Sequence, residues 1–416
     1  MKKLVLERLY KNCPRMVSGV KFDVLLPYDD SKFLRAINLL AYRHPFLNAT
    51  VHTEEDTFSY NLDKKVIPFV VESTSVLDFE KDFTQFENAC RNFSVECLCK
   101  FFVYKHESSF SLLVVAHKIL TDAKGLMALI QDFILAYQDL LPEKVVVPRL
   151  IENLKDLPKE NYVTLKEKKI IQKVNRDIKK RKVACSESLY KEYHYSLLEN
   201  NPLGFAYRKL PESYLDGLKA ECEKNNVSIL AYFIALVCKN FYIPYFLFSV
   251  DVRNCLYWYV QGSLGNFNSF VFFDSKNYSK KNIFELAREI ERQLMFLKHN
   301  DKTKCSALAK ILLLDPRVVD VLFPFLGYFS SEKSLKRIAK SFKLRKKIEY
   351  MITDVGTYSI PEIDNVVFLE SPFPITSLNF TLLTVNDQSQ ISCRYQKKDY
   401  SQEKFAKYLD DMIHSL

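Results

Sequence analysis

The chain is poor in glycine, with 8 in 416 residues. Phosphate-cradling loops need glycines at fixed spacing. Neither G-x-G-x-x-G nor G-x-x-x-x-G-K occurs, which argues against nucleotide binding of those two kinds. Long apolar runs are also missing. The best candidates are broken by charges such as Lys239, and none reaches the roughly 18 residues of a membrane-spanning helix. The segment "MKKLVLERLYKNCPRM" has lysines but lacks the apolar core of a secretory signal, so a reducing cytoplasm is the expected location. Cysteines number ten, and only Cys97 and Cys99 are close together. A C-x-C without a second pair or a nearby His is not a zinc signature, so no metal is expected. Several cysteines sit inside apolar patterns such as "LAYFIALVCKNFY", where sulfur acts as a small hydrophobe. Ser and Cys nucleophiles are unsupported as well, because neither G-x-S-x-G nor a Cys-His signature is present.

What is present describes an ordinary globular chain, with 48% hydrophobic and 26% charged residues. Its length exceeds the size at which one core stops growing, so two subdomains are expected. Net charge is +10. The densest basic stretch, "LKEKKIIQKVNRDIKKRK" from Leu165 to Lys182, has two readings: attraction to an anionic partner, or a solvated helix or linker. The second is favoured, since charge runs alone are weak evidence. Interleaved aromatics that would stack bases are missing there, so no nucleic-acid partner is expected.

Hydrophobic periodicity sets out the elements. "DDSKFLRAINLLAYRHPFLNATVH" reads as a helix capped by Asp30 or Ser31, with Phe33, Leu34, Ile37, Leu40 and Ala41 on one face and Pro45 as its stop. "FLNATVHTEEDTFSYNL" reads as two short strands around a turn at Glu54–Asp56. "CKFFVYKHESSFSLLVVAHK" reads as a hairpin turning at "HESS". A helix follows from Leu126 to Tyr137. The charged stretch from about Pro142 to Ser188 has low periodicity and reads as a crossover. Further helices are expected at Ser213–Cys222, Ser228–Phe241, Ile283–Leu297 and Ser330–Phe342, and from Ser401 onward. Strands are expected at "FAYRKL", "YFLFSVDVRN", "LGNFNSFVFFD", "IEYMITDVG", "NVVFLES", "SLNFTLLTV" and "QISCRYQ". Both halves set helices against several strands, which predicts two similar α/β layers.

One junction stands out. Apolar residues run from Leu112 to Ala116, then His117 and Lys118 appear, then Asp122 and Gly125, and an amphipathic run starts at Leu126. Strand-to-helix turns at sheet ends hold reactive side chains on rigid supports.

These residues carry a resemblance. "AHKILTDAKGLMALIQDF" resembles the H-H-x-x-x-D-G turn of the chloramphenicol acetyltransferase-like superfamily, which includes peptide-synthetase condensation domains and alcohol acetyltransferases. His117 takes the first His, Lys118 the second, Asp122 the Asp and Ala123 the Gly. "DAKG" also looks like the D-G-x-G of the alcohol acetyltransferase branch. "AINLLAYRHPFLNATV" is similar to the helix-R-H-P-strand opening of condensation domains, and "SVDVRNCL" to their strand ending in D-x-R. "SLGNFNSFVFFD" resembles their L-G-N segment, and "MITDVGTYSIPE" the S-N-x-G…L-P-E stretch of alcohol acetyltransferases. The resemblance spans nearly the whole chain.

It implies an α/β fold of two similar subdomains facing each other across a central tunnel. The expected division is 1–155, a basic crossover at 156–184, and 185–416. The implied activity is transfer of an acyl group from acyl-CoA or an acyl-carrier thioester to an alcohol or amine, with no bound cofactor. The alternative is a non-catalytic relative that binds such a ligand, or a protein partner, in the tunnel; an acyl-carrier protein is one candidate partner. His117 and Lys118 are the candidate catalytic residues. Asp122 and Arg253 are expected to pair across the fold as structure. Thr121, Gly125, Gly265 and Asn266 are expected beside the tunnel, although a simple turn also accounts for Gly265 and Asn266.

Lys118 departs from the pattern, because the family's base is a His. Imidazole, near 6.5, leaves a neutral base available around pH 7, whereas a lysine near 10.4 is a cation. Three roles stay open for Lys118: a base after desolvation, a cationic electrophile or anchor, or a side chain that merely points to water. For His117 the first reading is orientation of the turn, with a place in the tunnel as the second.

Overall fold

The computed structural model describes residues 2–52, 57–59, 69–72, 75–91, 96–158, 163–181, 186–274, 280–322, 333–342, 350–374 and 376–413. The turn expected at Glu54–Asp56 and the start of the helix expected from Ser330 lie outside these residues. So does Cys185.

Two sheets organise the chain. The first has the order β12 (Ile363–Glu370), β2 (Val17–Val24), β7 (Phe110–His117), β6 (Cys99–Lys105), β5 (Phe69–Glu72). The second has the order β10 (Asn268–Asp274), β9 (Tyr245–Asp251), β11 (Tyr350–Tyr358), β13 (Leu378–Val385), β14 (Gln388–Gln396), β8 (Leu203–Lys209). A small third sheet joins β1 (Lys2–Lys3), β4 (Thr57–Ser59) and β3 (Thr50–His52). The hairpin read from "HESS" is β6–β7, antiparallel with Lys105 opposite Phe110. Every residue of β7 is buried. That explains its unbroken apolar run, since a strand covered on both faces needs no alternation.

On one face the first sheet carries α2 (Asp30–Arg43) and α4 (Ala123–Tyr137); their apolar residues share its main core with those of α1 (Arg8–Lys11), which packs against the helix Pro316–Leu322. On the other face, α3 (Phe79–Asn88) brings Phe79, Phe83 and Phe86 against Val17, Val115 and, from the second sheet, Phe205. The second sheet carries α7 (Glu212–Lys224), α8 (Ile229–Asn240) and α9 (Ile283–Lys298), together with the helix Gln402–Ile413. Ser228 caps α8 by accepting from the Ala231 N–H, as its position before an apolar run predicts. The main core also takes Leu247, Phe267, Met351 and Leu383 from the second half, so the two lobes share one interior.

Three features depart from the sequence reading. First, β12 belongs to the second half of the chain but pairs antiparallel with β2 in the first sheet, setting Glu370 opposite Ser18. The unit expected over 185–416 therefore lends a strand to its neighbour. Second, the charged crossover contains α5 (Leu165–Arg181), which buries Ile171, Val174 and Ile178 among its lysines. Its Asn175 side chain bonds both Leu313 O and the Asp315 N–H at 2.9 Å. Third, the sequence reading did not anticipate β2, β5, α1, α3, α6 (Glu187–Asn200), α10 (Asp301–Leu312) or α11 (Pro316–Leu322). Among the described residues, no helix is long and apolar enough to cross a membrane.

Candidate functional site

The turn after β7 is built from the backbone up. His117 N–H donates to Leu98 O at 2.8 Å and Lys118 N–H to Met16 O at 2.7 Å, so the sheet hydrogen bonding continues into the turn. Asp122 then adopts an extended conformation and caps α4, its side chain accepting from the Gly125 N–H at 3.0 Å. A carboxylate is favoured there because the first turn of a helix presents unpaired N–H groups.

Arg253, in the turn that follows β9, meets this carboxylate with both terminal nitrogens, Nη2 to Oδ1 at 2.8 Å and Nη1 to Oδ2 at 3.0 Å. The Phe267 N–H donates to Oδ2 as well, at 2.8 Å. Side-chain exposure is 8% for Arg253 and 1% for Asp122, so this is a buried pair across the seam between the lobes. Burial alone would lower the guanidinium pKa; the Asp122 charge and hydrogen bonds outweigh it and raise it. Asp251 also contacts Arg253 at 3.0 Å and is itself 3.3 Å from Lys124.

The other expected residues gather at the same turn. Asn266 Nδ2 donates to Lys118 O at 3.0 Å, tying the L-G-N segment to it. Gly265 has φ +145°, and a Cβ there would stand 2.9 Å from the Phe267 ring, so glycine is required. A Cβ on Gly125 would stand 2.0 Å from Thr121 Oγ1 and 3.4 Å from Arg253 Nη2.

His117 is buried, and its Nδ1 accepts from the Ile119 N–H at 3.2 Å. Burial first, then the charges of Arg91 and Lys118, push this imidazole well below its ordinary value. It is neutral, and with Nδ1 accepting, its proton sits on Nε2.

Lys118 does not point to water. Its Nζ lies 2.8 Å from Glu370 Oε1, with side-chain exposures of 6% and 2%. The ammonium also lies 5.1 Å from the centroid of the Phe373 ring. Asn379 Nδ2 donates to Glu370 Oε2 at 3.2 Å. Two buried polar atoms border the pair with no hydrogen-bond partner among the described residues, Ser18 Oγ and Asn379 Oδ1. The strand register sets Ser18 opposite both Glu370 and Ala116.

Sequence reasoning missed Glu370, Asn379 and Ser18. The available signal was "NVVFLES", an apolar strand that closes on a carboxylate and so demands a partner. Among the described residues, no group of three or more His, Cys, Asp or Glu side chains could hold a metal ion.

No protein-family model and no curated protein sequence matches the chain. Solved structures do match over nearly its full length. Trichothecene 15-O-acetyltransferase from Fusarium sporotrichioides superposes with a TM-score of 0.65 at 13% identity, covering 99% of this chain and 94% of that one. The condensation domain of the monacolin K polyketide synthase gives 0.63 at 9% identity, covering 99% and 95%. An NRPS cyclization-docking bidomain from Sorangium cellulosum gives 0.61 at 12% identity, covering 99% and 84%. At these identities the likeness concerns architecture, and the chain has the two-lobed chloramphenicol acetyltransferase-like fold.

Proposed function

We propose that this chain binds an acyl thioester, of the acyl-CoA or acyl-carrier type, at the seam between its lobes, and that Lys118 serves there as a fixed cation and not as a general base. The observation that carries this reading is the Lys118–Glu370 ion pair. A neutral Lys118 would leave Glu370 charged and unpaired in the core, which is costly. An ammonium has no lone pair to take a proton from an acceptor. His117 offers no substitute, because its one free lone pair, on Nδ1, already accepts from Ile119. What the site does offer a ligand is polar and unpartnered: Ser18 Oγ and Asn379 Oδ1 beside the pair.

A second reading, retained acyl transfer to a small alcohol or amine, is favoured by the intact scaffold of Asp122, Arg253, Gly125 and Asn266. An amine suits it better, since a neutral amine attacks first and loses its proton afterwards.

One experiment separates the two. Purified protein is incubated with short- and medium-chain acyl-CoA, binding is followed by calorimetry, and free thiol is followed with and without alcohol and amine acceptors. The binding reading expects heat of binding and no acceptor-dependent thiol. Acceptor-dependent thiol release that disappears in Lys118→Ala would overturn it in favour of transfer. Absence of both signals would remove the thioester and leave a protein partner as the occupant to pursue.

A further inference from the structure

A second cluster lies two residues beyond Arg253. Cys255 ends the turn Arg253–Cys255, and Cys305 lies in α10. The Cys255 thiol donates to Asp301 Oδ1 at 3.1 Å, and the Lys304 ammonium approaches the same sulfur at 3.8 Å. Lys304 in turn holds Asp301 at 2.9 Å. Cys305 is fully buried and lies four residues after Asp301, on the same face of α10 that meets Cys255. The neighbouring Cys255, ahead of burial, pushes its thiol up.

A cysteine that only fills space needs none of this. Sulfur is a weak hydrogen-bonding atom, and buried structural cysteines are inert in apolar surroundings. Here one sulfur lies beside a second thiol, a carboxylate able to take its proton, and an ammonium able to stabilise the thiolate formed. The carboxylate is also the way in. The Asp301 side chain is 48% exposed, whereas Cys255 is 7% exposed. The cluster thus sets a buried sulfur beside a half-exposed carboxylate that accepts its proton and beside an ammonium, with a second sulfur behind it, the groups that an oxidisable thiol pair needs.

We propose that Cys255 and Cys305 form an oxidisable thiol pair, in which a hydroperoxide oxidises Cys255 and Cys305 resolves the product into a disulfide. In the first step the Cys255 thiolate attacks the distal peroxide oxygen. The O–O bond breaks, a sulfenic acid forms, and the departing oxygen leaves as water or an alcohol after taking a proton. In the second step the Cys305 sulfur attacks the sulfenic sulfur. The S–O bond breaks, water leaves and the S–S bond forms. Two thiols lose two electrons and the peroxide gains them. The product ties the turn carrying Arg253 to α10, so oxidation state is coupled to one wall of the candidate site. This inference does not depend on the thioester reading.

The test is peptide mapping of the folded, full-length protein after brief treatment with hydrogen peroxide at low excess. The expected result is a linked peptide joining Cys255 to Cys305, short of two hydrogens and split by dithiothreitol. Cys305→Ser should leave a sulfenic acid on Cys255 that dimedone traps, and Lys304→Met should slow the oxidation several-fold. Recovery of Cys255 as free thiol while half-buried Cys90 or Cys97 is oxidised would overturn the proposal. The wild-type map alone decides this, so the outcome survives a variant that fails to fold.

Discussion

Removing either partner of the Asp122–Arg253 pair should destabilise both lobes together. Asp122 accepts two hydrogen bonds from Arg253 and one each from the backbone N–H groups of Gly125 and Phe267. Breaking a buried pair by removing one member costs about 3–5 kcal/mol, because the other charge stays behind. Asp122→Asn puts an amide donor against donors, but Arg253 keeps Asp251 at 3.0 Å, which places this variant near the lower end. Arg253→Met strips the guanidinium from both Asp122 and Asp251, which places it near the upper end. Unfolding entropy is about 2.1 cal/mol/K per residue near 60 °C, so over 416 residues a loss of about 3–5 kcal/mol lowers Tm by about 3–6 °C. The double variant should cost less than the two singles added, with a coupling of about 1–3 kcal/mol, because the second change removes the charge that the first stranded. Differential scanning calorimetry on the four proteins measures this. A shift below about 1 °C in either single variant, or strict additivity, would refute the reasoning that the pair is buried and mutually dependent.

Other expectations can be checked on the same protein. Lys118→Met should lower stability by about 3–5 kcal/mol in urea unfolding, and adding Glu370→Gln should recover most of it, since no unpaired charge then remains. Gly125→Ala should cost about 1–3 kcal/mol because its Cβ meets Thr121 Oγ1 at 2.0 Å, and Thr121→Ala should relieve it in the double variant. His117 is held well below its ordinary value in the fold, so just below pH 6.5 the unfolded chain binds the proton and the folded chain does not. Stability should therefore fall as pH drops from 6.5, by up to about 1.4 kcal/mol per unit, and unfolding of His117→Asn across that range should lack this slope.

The sequence made some features legible and hid others, for physical reasons. Helices whose apolar faces are wide, such as α2 and α8, stand out by period; the cap read at Ser228 is the one that forms, whereas α2 is capped by Asp29, one residue before the expected Asp30 or Ser31. In α5 only Ile171, Val174 and Ile178 face the core, and the surrounding lysines dilute that narrow stripe below recognition. Lobe membership was hidden in a different way. Nothing inside "NVVFLES" says that β12 hydrogen-bonds to β2, since strand partners are chosen by register across the whole fold. At the site, Asp122 and Arg253 were legible because each sits in a recognisable local pattern, a helix N-cap and a charge closing an apolar strand.

Lys118 shows how far such reading reaches. Its place at the end of a buried strand was plain, and so was the mismatch between a lysine and the job of a base. Its charge state was not plain, because that depends on a carboxylate 252 residues away, brought near by a strand whose lobe could not be assigned. A buried lysine and a buried glutamate are each costly alone, so the two must be considered as one feature. It follows that restoring an imidazole at position 118 alone would not recreate a free base. Glu370 would remain within reach of the ring and hold it as an imidazolium, since a neighbouring carboxylate favours the charged form. A usable base at this turn needs Lys118→His together with Glu370→Gln. The chemistry of the site is therefore set jointly by the first lobe's turn and by the strand that crosses over from the second half of the chain.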